Sequence, residues 1–399
     1  MSITADPGST TGSVSPAAEE ARAEALAATG WGIPFKLVQP RNAMFWVFLW
    51  GMAAGTLHMV QYFGPRLGVY GTGLGVGILG FALYTIPWLI LLAHHNRYAA
   101  LPWRLLAVAF IWGGVAATFW MGLQANTAML SLYPKLFGVE WATNWSAGLT
   151  APFTEELAKA SALVLLIGLA PKLVRSVYDG LIIGAFAGLG LQIFEDVLYA
   201  FNGSAGNFGT NQVGAAISTL LSRGPVGLFQ HVLFSAVFCA GLMWLIGREN
   251  GRHRLRGLLL MLFVVVVHSC WDNATFYGRS IFGEAGPILL MIILAVVELI
   301  VLAQVFRWAA PQQLAWVHAL LGPEVVRGVL TADEAAAFSG GRKARKAYVK
   351  KVDGHHRKRA AKHIFAATGD LTHELAAARA QDTPAVQHAR AELVRLRAA

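Results

Sequence analysis

Eight apolar stretches constrain this chain more than any other feature, because a helix needs about 20 mainly apolar residues to cross a bilayer. They fall near 44–63, 73–93, 104–122, 151–170, 178–200, 226–247, 256–278 and 286–308. Backbone polar groups in lipid must be satisfied within the segment, so such stretches can only be helices. The expected fold is therefore all-α: a polytopic transmembrane bundle of about eight spans. Composition agrees. Hydrophobic residues make up 56% of the chain and charged residues 14%, well below the roughly 25% of a soluble domain. Thirteen Trp and 22 Phe suit a protein that meets membrane interfaces. The two cysteines, Cys239 and Cys270, lie in apolar runs without metal-ligand spacing, which argues against a disulfide framework or a zinc finger.

Lys and Arg in the flanks set the orientation. One set of flanks holds Lys36, Arg41, Arg97, Arg104, Lys172, Arg175, Arg248, Arg252, Arg254, Arg256 and Arg307; the other holds Arg66, Lys135, Arg223 and Arg279. The bias alternates at every loop and predicts cytoplasmic N- and C-termini in the plasma membrane. Residues 1–43 read as a disordered cytoplasmic leader, since the first 30 are rich in Ala, Ser, Thr and Gly and lack a signal-peptide pattern. Residues 44–308 form the expected membrane domain. Residues 309–399 read as a basic, partly helical cytoplasmic tail, with fifteen Lys and Arg against eight Asp and Glu from Pro311 onward. On a membrane protein such a tail meets anionic inner-leaflet lipid, and no nucleic acid is expected. The 123–150 connection, with Trp141 and Trp145, reads as a segment resting on the outer interface.

Ionisable residues inside spans are costly and usually face a cavity or a partner. Four clusters stand out: Thr154-Glu155-Glu156-Leu157-Ala158-Lys159, Phe194-Glu195-Asp196-Val197-Leu198-Tyr199, His231, and His268-Ser269-Cys270-Trp271-Asp272-Asn273. The alternating orientation brings all four to one depth, in the outer third of the bilayer. Lys159 is spaced to pair with Glu155 or Glu156, and His268 and Asp272 share a helix face. Gly184, Gly188 and Gly190 precede Glu195 and permit close helix approach. Asp179 reads as a solvated boundary residue, and Glu298 has no evident partner.

In order, TEELAK, FEDVLY, HVLFSAVFCAG and HSCWD resemble the motifs of the PrsW family of intramembrane proteases, over roughly 150–278. That family is distantly similar to the type II CAAX prenyl endopeptidases. Two departures stand out: Asp272 where Asn is common, and Asp196 after Glu195, which could favour a metal or pair with Lys159. The resemblance implies a membrane-embedded endopeptidase acting on membrane-anchored proteins or peptides. Its expected catalytic residues here are Glu155, Glu156, Lys159, Glu195, His231, His268 and Asp272. Peptide hydrolysis needs an activated water and oxyanion stabilisation, and Glu155 or Glu156 suits the base. His231, His268 and Glu195 would make a metal set for a divalent ion such as zinc; the histidines could equally act without metal, and the spacing leaves both open. An ion- or proton-coupled transporter using the same groups is the alternative.

Overall fold

The computed structural model describes residues 15–247 and 253–398. Arg248 and Arg252, counted above for orientation, lie outside the described residues, as do residues 1–14 of the leader. The described residues are mostly helical, with no strand among them, as the apolar pattern requires. They divide into two compact units, residues 34–309 and a second unit that joins the residues before 34 to those from 310 onward.

In the first unit, α2 (Ala43–Phe63) starts at Asn42, whose side chain accepts the Met44 N–H. A single tight turn leads to α3 (Leu67–Ala99). Then come α4 (Trp103–Ile111), continued by a π-helix over Trp112–Gly122, and α5 (Leu123–Phe137), α6 (Val139–Leu169) and α7 (Val177–Gly203). The order continues with α8 (Gln212–Gly227), α9 (His231–Ile246), α10 (Arg254–Asp272), α11 (Ala274–Phe282) and α12 (Gly286–Val326). Six helical stretches are long and apolar enough to cross a membrane, by length and composition. One of them, Ala43–Ala99, is 57 residues long, enough for two crossings at about 20 residues each. α6 is not among the six, because Glu155, Glu156 and Lys159 interrupt its apolar run.

α7 is the axis of this unit. It packs along α9, α3, the π-helix, α4, α8 and α6, and is buried almost continuously from Val177 to Ile193. Its start is fixed by a capping box: Ser176 Oγ accepts the Asp179 N–H at 3.0 Å and Asp179 accepts the Ser176 N–H at 2.8 Å. Asp179, expected to be solvated, is instead buried in this cap. Close approach on both sides needs glycine. A Cβ at Gly188 would overlap the His231 carbonyl of α9, and one at Gly113 of the π-helix would overlap the Ala187 carbonyl of α7.

Two segments depart from expectation. The 123–150 connection is helical, and α6 runs unbroken from Val139, so Glu155 lies mid-helix rather than in a first turn. The seventh stretch, read as 256–278, breaks at Asn273 between α10 and α11. There Asn273 Oδ1 accepts the Gly148 N–H at 3.2 Å, so α6 holds the break.

The second unit corrects the leader. Pro16–Thr29 is a helix, α1, not a disordered segment. Its buried residues Arg22, Ala25, Leu26 and Thr29 recur every three to four positions, the stripe a docked helix requires. With the end of α12 it joins α13 (Ala332–Ser339), α14 (Gly341–Lys351), α15 (His355–Ala377) and α16 (Pro384–Ala398). At the centre sits Glu324, 0% exposed. It accepts hydrogen bonds from Arg22 at 2.8 Å, Arg327 at 2.7 Å and Arg390 at 2.7 Å.

Candidate active site

All seven site residues expected from the sequence come together in the first unit, on four helices, α7 among them. α6 supplies Glu155, Glu156 and Lys159, α7 supplies Glu195, α9 opens with His231, and α10 closes with His268 and Asp272. Lys159 is fully buried. Its Nζ donates to Glu156 Oε1 at 2.6 Å and lies 3.0 Å from His231 Nδ1. Of the two acids within its helical reach, Lys159 thus pairs with Glu156.

Each histidine has one ring nitrogen against a carboxylate. His268 Nδ1 lies 3.0 Å from Glu156 Oε1, and His231 Nε2 lies 3.2 Å from Glu195 Oε2. A proton on each of those nitrogens leaves the other nitrogen as an acceptor. Those second nitrogens both lie toward Glu155 Oε2, His231 Nδ1 at 3.7 Å and His268 Nε2 at 3.9 Å, and His231 Nδ1 also faces the Lys159 ammonium at 3.0 Å. Glu155 Oε2 is buried and, among the described residues, has no hydrogen-bond partner. Asp272 Oδ2 is likewise unpartnered, 3.5 Å from His268 Nε2.

Glu155, His231 and His268 each offer a ligand atom within 4.8 Å of the other two. Ligand atoms about 2.0–2.2 Å from a tetrahedral zinc stand about 3.4 Å apart, and the two spacings from Glu155 Oε2, 3.7 and 3.9 Å, lie close to that value. Two imidazole nitrogens and a carboxylate oxygen, Glu155 Oε2, that no donor satisfies fit a cation. The ring nitrogens turned away from the cluster are held by carboxylates, as in metal sites generally. This set differs from the expected His231, His268 and Glu195. Glu195 falls outside it because its Oε2 accepts from Arg223 at 2.8 Å as well as facing His231 Nε2.

Arg223, on α8, was read from the sequence as a flanking charge. Its guanidinium bonds Glu195 and Asp196 and stacks over the Tyr199 ring, 3.9 Å from the centroid. Asp196 therefore pairs with Arg223 and Gln192, not with Lys159. Asn126, on α5, also escaped notice: its Nδ2 donates to Glu155 Oε1 at 3.0 Å, and its Oδ1 accepts from Thr154. Neither residue carried a signal beyond being polar in a connecting segment.

Two clefts reach the cluster. One of about 240 Å³ is lined by Glu155, Glu195, Arg223, Gln230, His231, His268 and Asp272, among others. A more apolar one of about 170 Å³ is lined by Leu123, Leu191 and Leu198 and shares Asn126, Glu155, Glu195 and Tyr199 with the first. Glu155 borders both clefts and Asp272 the larger, whereas Glu156 and Lys159 border neither.

The first unit is thus a helical bundle of membrane-spanning type that encloses a carboxylate–histidine group able to hold a metal. Residues 101–303 match the model of the PrsW family of intramembrane metalloproteases, and the chain belongs to that family. It is accordingly a multi-pass membrane peptidase. Comparison with curated proteins gives no match, and comparison with solved structures gives none either.

Proposed function

We propose that this chain is an endopeptidase that cleaves membrane-anchored proteins or peptides at the Glu155–His231–His268 cluster. The observation that carries the reading is the convergence of His231 Nδ1 and His268 Nε2 on the unpartnered Glu155 Oε2. Zinc held by these three residues would supply a Lewis acid and an acidified water at neutral pH. Asp272, which lines the cleft with Oδ2 3.5 Å from His268 Nε2, takes the water proton and returns it to the leaving amine. Glu156 and Glu195 orient the two imidazoles, Asn126 orients Glu155, and Arg223 orients Glu195. Proton or ion transport through the same groups is not favoured, since family membership points to a peptidase.

One observation favours a second, metal-free reading. The Lys159 ammonium already lies 3.0 Å from His231 Nδ1, where a metal would need that lone pair. In that reading Glu155 Oε2 is the base that activates water directly.

The positive flanks support eight spans with cytoplasmic termini in the plasma membrane and a site toward the outer face. In the second unit, α14 and the start of α15 expose Arg342, Lys343, Lys346, Lys350, Lys351, Arg357, Lys358 and Arg359, a surface suited to anionic inner-leaflet lipid.

The test compares membrane proteomes of cells expressing wild type or Glu155→Gln, with new N-termini labelled. Truncated membrane proteins seen only with wild type support the reading. Identical proteomes at equal protein levels, under envelope stress as well, overturn it. Zinc content of the purified protein, and loss of cleavage on chelation with recovery on zinc addition, decide between the two readings.

A further inference from the structure

Between the start of α10 and α12, within the first unit, lies an open crevice of about 620 Å³. That is in the roughly 300–1,000 Å³ range of sites that hold a ligand. Its lining has two tiers. His253, Arg254 and Arg256 stand where α10 begins, and Leu259, Phe263 and Val301 continue along the two helices as an apolar wall. No acid lines the crevice, and none stands in the first turn of α10. Among the described residues no carboxylate pairs with Arg254 or Arg256.

The Arg256 guanidinium is already held in place. It lies 5.3 Å from the Trp244 ring centroid and 4.5 Å from that of Trp308, within reach of cation–π attraction. The two indoles meet edge to face at 5.9 Å. The backbone there is fixed too, because a Cβ at Gly257 would overlap the Gly241 carbonyl of α9. Aromatic rings take the face of a guanidinium and leave its N–H edge free, and that edge matches the oxygens of a phosphate. Arg254 is exposed beside it. A small soluble anion would pair with these cations and leave the apolar wall wet. A neutral lipid would cover the wall and leave the cations unpaired. The flank charges assign this end of α10 to the cytoplasmic side, where anionic lipid gathers.

We infer that this crevice binds an anionic phospholipid: Arg254 and Arg256 take its phosphate, and an acyl chain lies along Leu259, Phe263 and Val301. The site uses none of the basic residues of α14 and α15. It is also separate from the Glu155–His231–His268 cluster, since Arg256 and His268 are about 18 Å apart along α10. It does not depend on the chain being a peptidase.

The test measures lipid retention by the full-length protein in detergent, by native mass spectrometry. Phosphatidylglycerol and phosphatidylcholine of matched chains are titrated in. Wild type should bind phosphatidylglycerol more tightly. Arg254→Gln combined with Arg256→Gln should weaken the first phosphatidylglycerol bound by about 30-fold, the loss expected for two arginines near a membrane surface. Arg342→Gln combined with Lys343→Gln, on α14, should leave that first lipid unchanged. Equal affinity in wild type and the crevice variant, or equal affinity for the two lipids, overturns the inference. Release of the lipid by inorganic phosphate at matched concentration also overturns it, because the site would then be one for phosphate alone. A second readout needs no variant to fold. Phosphatidylglycerol with a photoreactive group in its acyl chain should label wild type within residues 255–263 or 301–308, which line the crevice. Label confined to other segments overturns the inference.

Discussion

Asn126 donates a hydrogen bond to Glu155 Oε1 at 3.0 Å, which leaves Oε2 of the same carboxylate turned toward His231 and His268. Replacing Asn126 with Leu removes the donor and frees the carboxylate to rotate. Peptide cleavage by Asn126→Leu should fall about 10–100-fold, the usual cost of losing an outer partner of a ligand. Thermal unfolding should shift little, since Asn126 is only part-buried. A steady-state assay on a cleavable peptide, run beside a melting curve, checks both.

Arg223 neutralises two acids at once. Asp196 is 0% exposed, and removing its cation leaves a buried charge unpaired, at a cost of about 3–5 kcal/mol for a fully buried pair. Arg223 itself is 24% exposed, so solvent screening lowers the expected loss to about 2 kcal/mol for Arg223→Ala. Asp196→Asn in the same chain should restore most of the stability without restoring activity, because Glu195 and His231 still lack their anchor. Recovery of both would show that Arg223 matters for stability alone.

At Gly188 the backbone of α7 meets the His231 carbonyl, with no room for a methyl group. Gly188→Ala must push α9 away and carry His231 with it. The expected outcome is a loss of about 1–3 kcal/mol from overpacking, together with loss of cleavage. Gly68→Ala is the control, since nothing lies within 4 Å of the added Cβ. Melting temperature and activity of the two variants in the same detergent make the comparison.

Glu324 holds three arginines in the second unit, and Arg22 is itself buried. Glu324→Gln leaves the buried Arg22 guanidinium with only the exposed Glu19 carboxylate 3.8 Å away, at a cost of about 3 kcal/mol. Limited proteolysis should then cut within Pro16–Thr29, where the wild type resists. Unchanged resistance would mean that apolar packing alone holds α1.

Much of the site was legible because charge in an apolar span is conspicuous. Glu155, Glu195, His231 and His268 each interrupt a run that should contain only apolar residues, and their order carries the family resemblance. Asn126 and Arg223 were not legible for the opposite reason. Polar residues are ordinary in connecting segments, and only the fold shows that α5 and α8 turn these two inward. The choice between Glu155 and Glu195 as ligand was also beyond the sequence, because it depends on which acid Arg223 captures. The cap at Asp179 was readable in principle, as Ser176 stands three residues before it. α1 was hidden by composition: its Ala, Glu and Arg content suggests disorder, while the spacing of Arg22, Ala25, Leu26 and Thr29 already marked one buried face.

Arg22 and Glu324 are separated by 302 positions in the chain, and this distance gives the second unit a place in time. The ribosome makes the arginine long before its carboxylate, and every apolar stretch between them is made in the interval. Until then α1 has a guanidinium to bury and only the exposed Glu19 on its own helix to pair it with. The clasp at Glu324 can close only on a chain synthesised as far as Arg390, so its closure marks the completion of the bundle rather than its start.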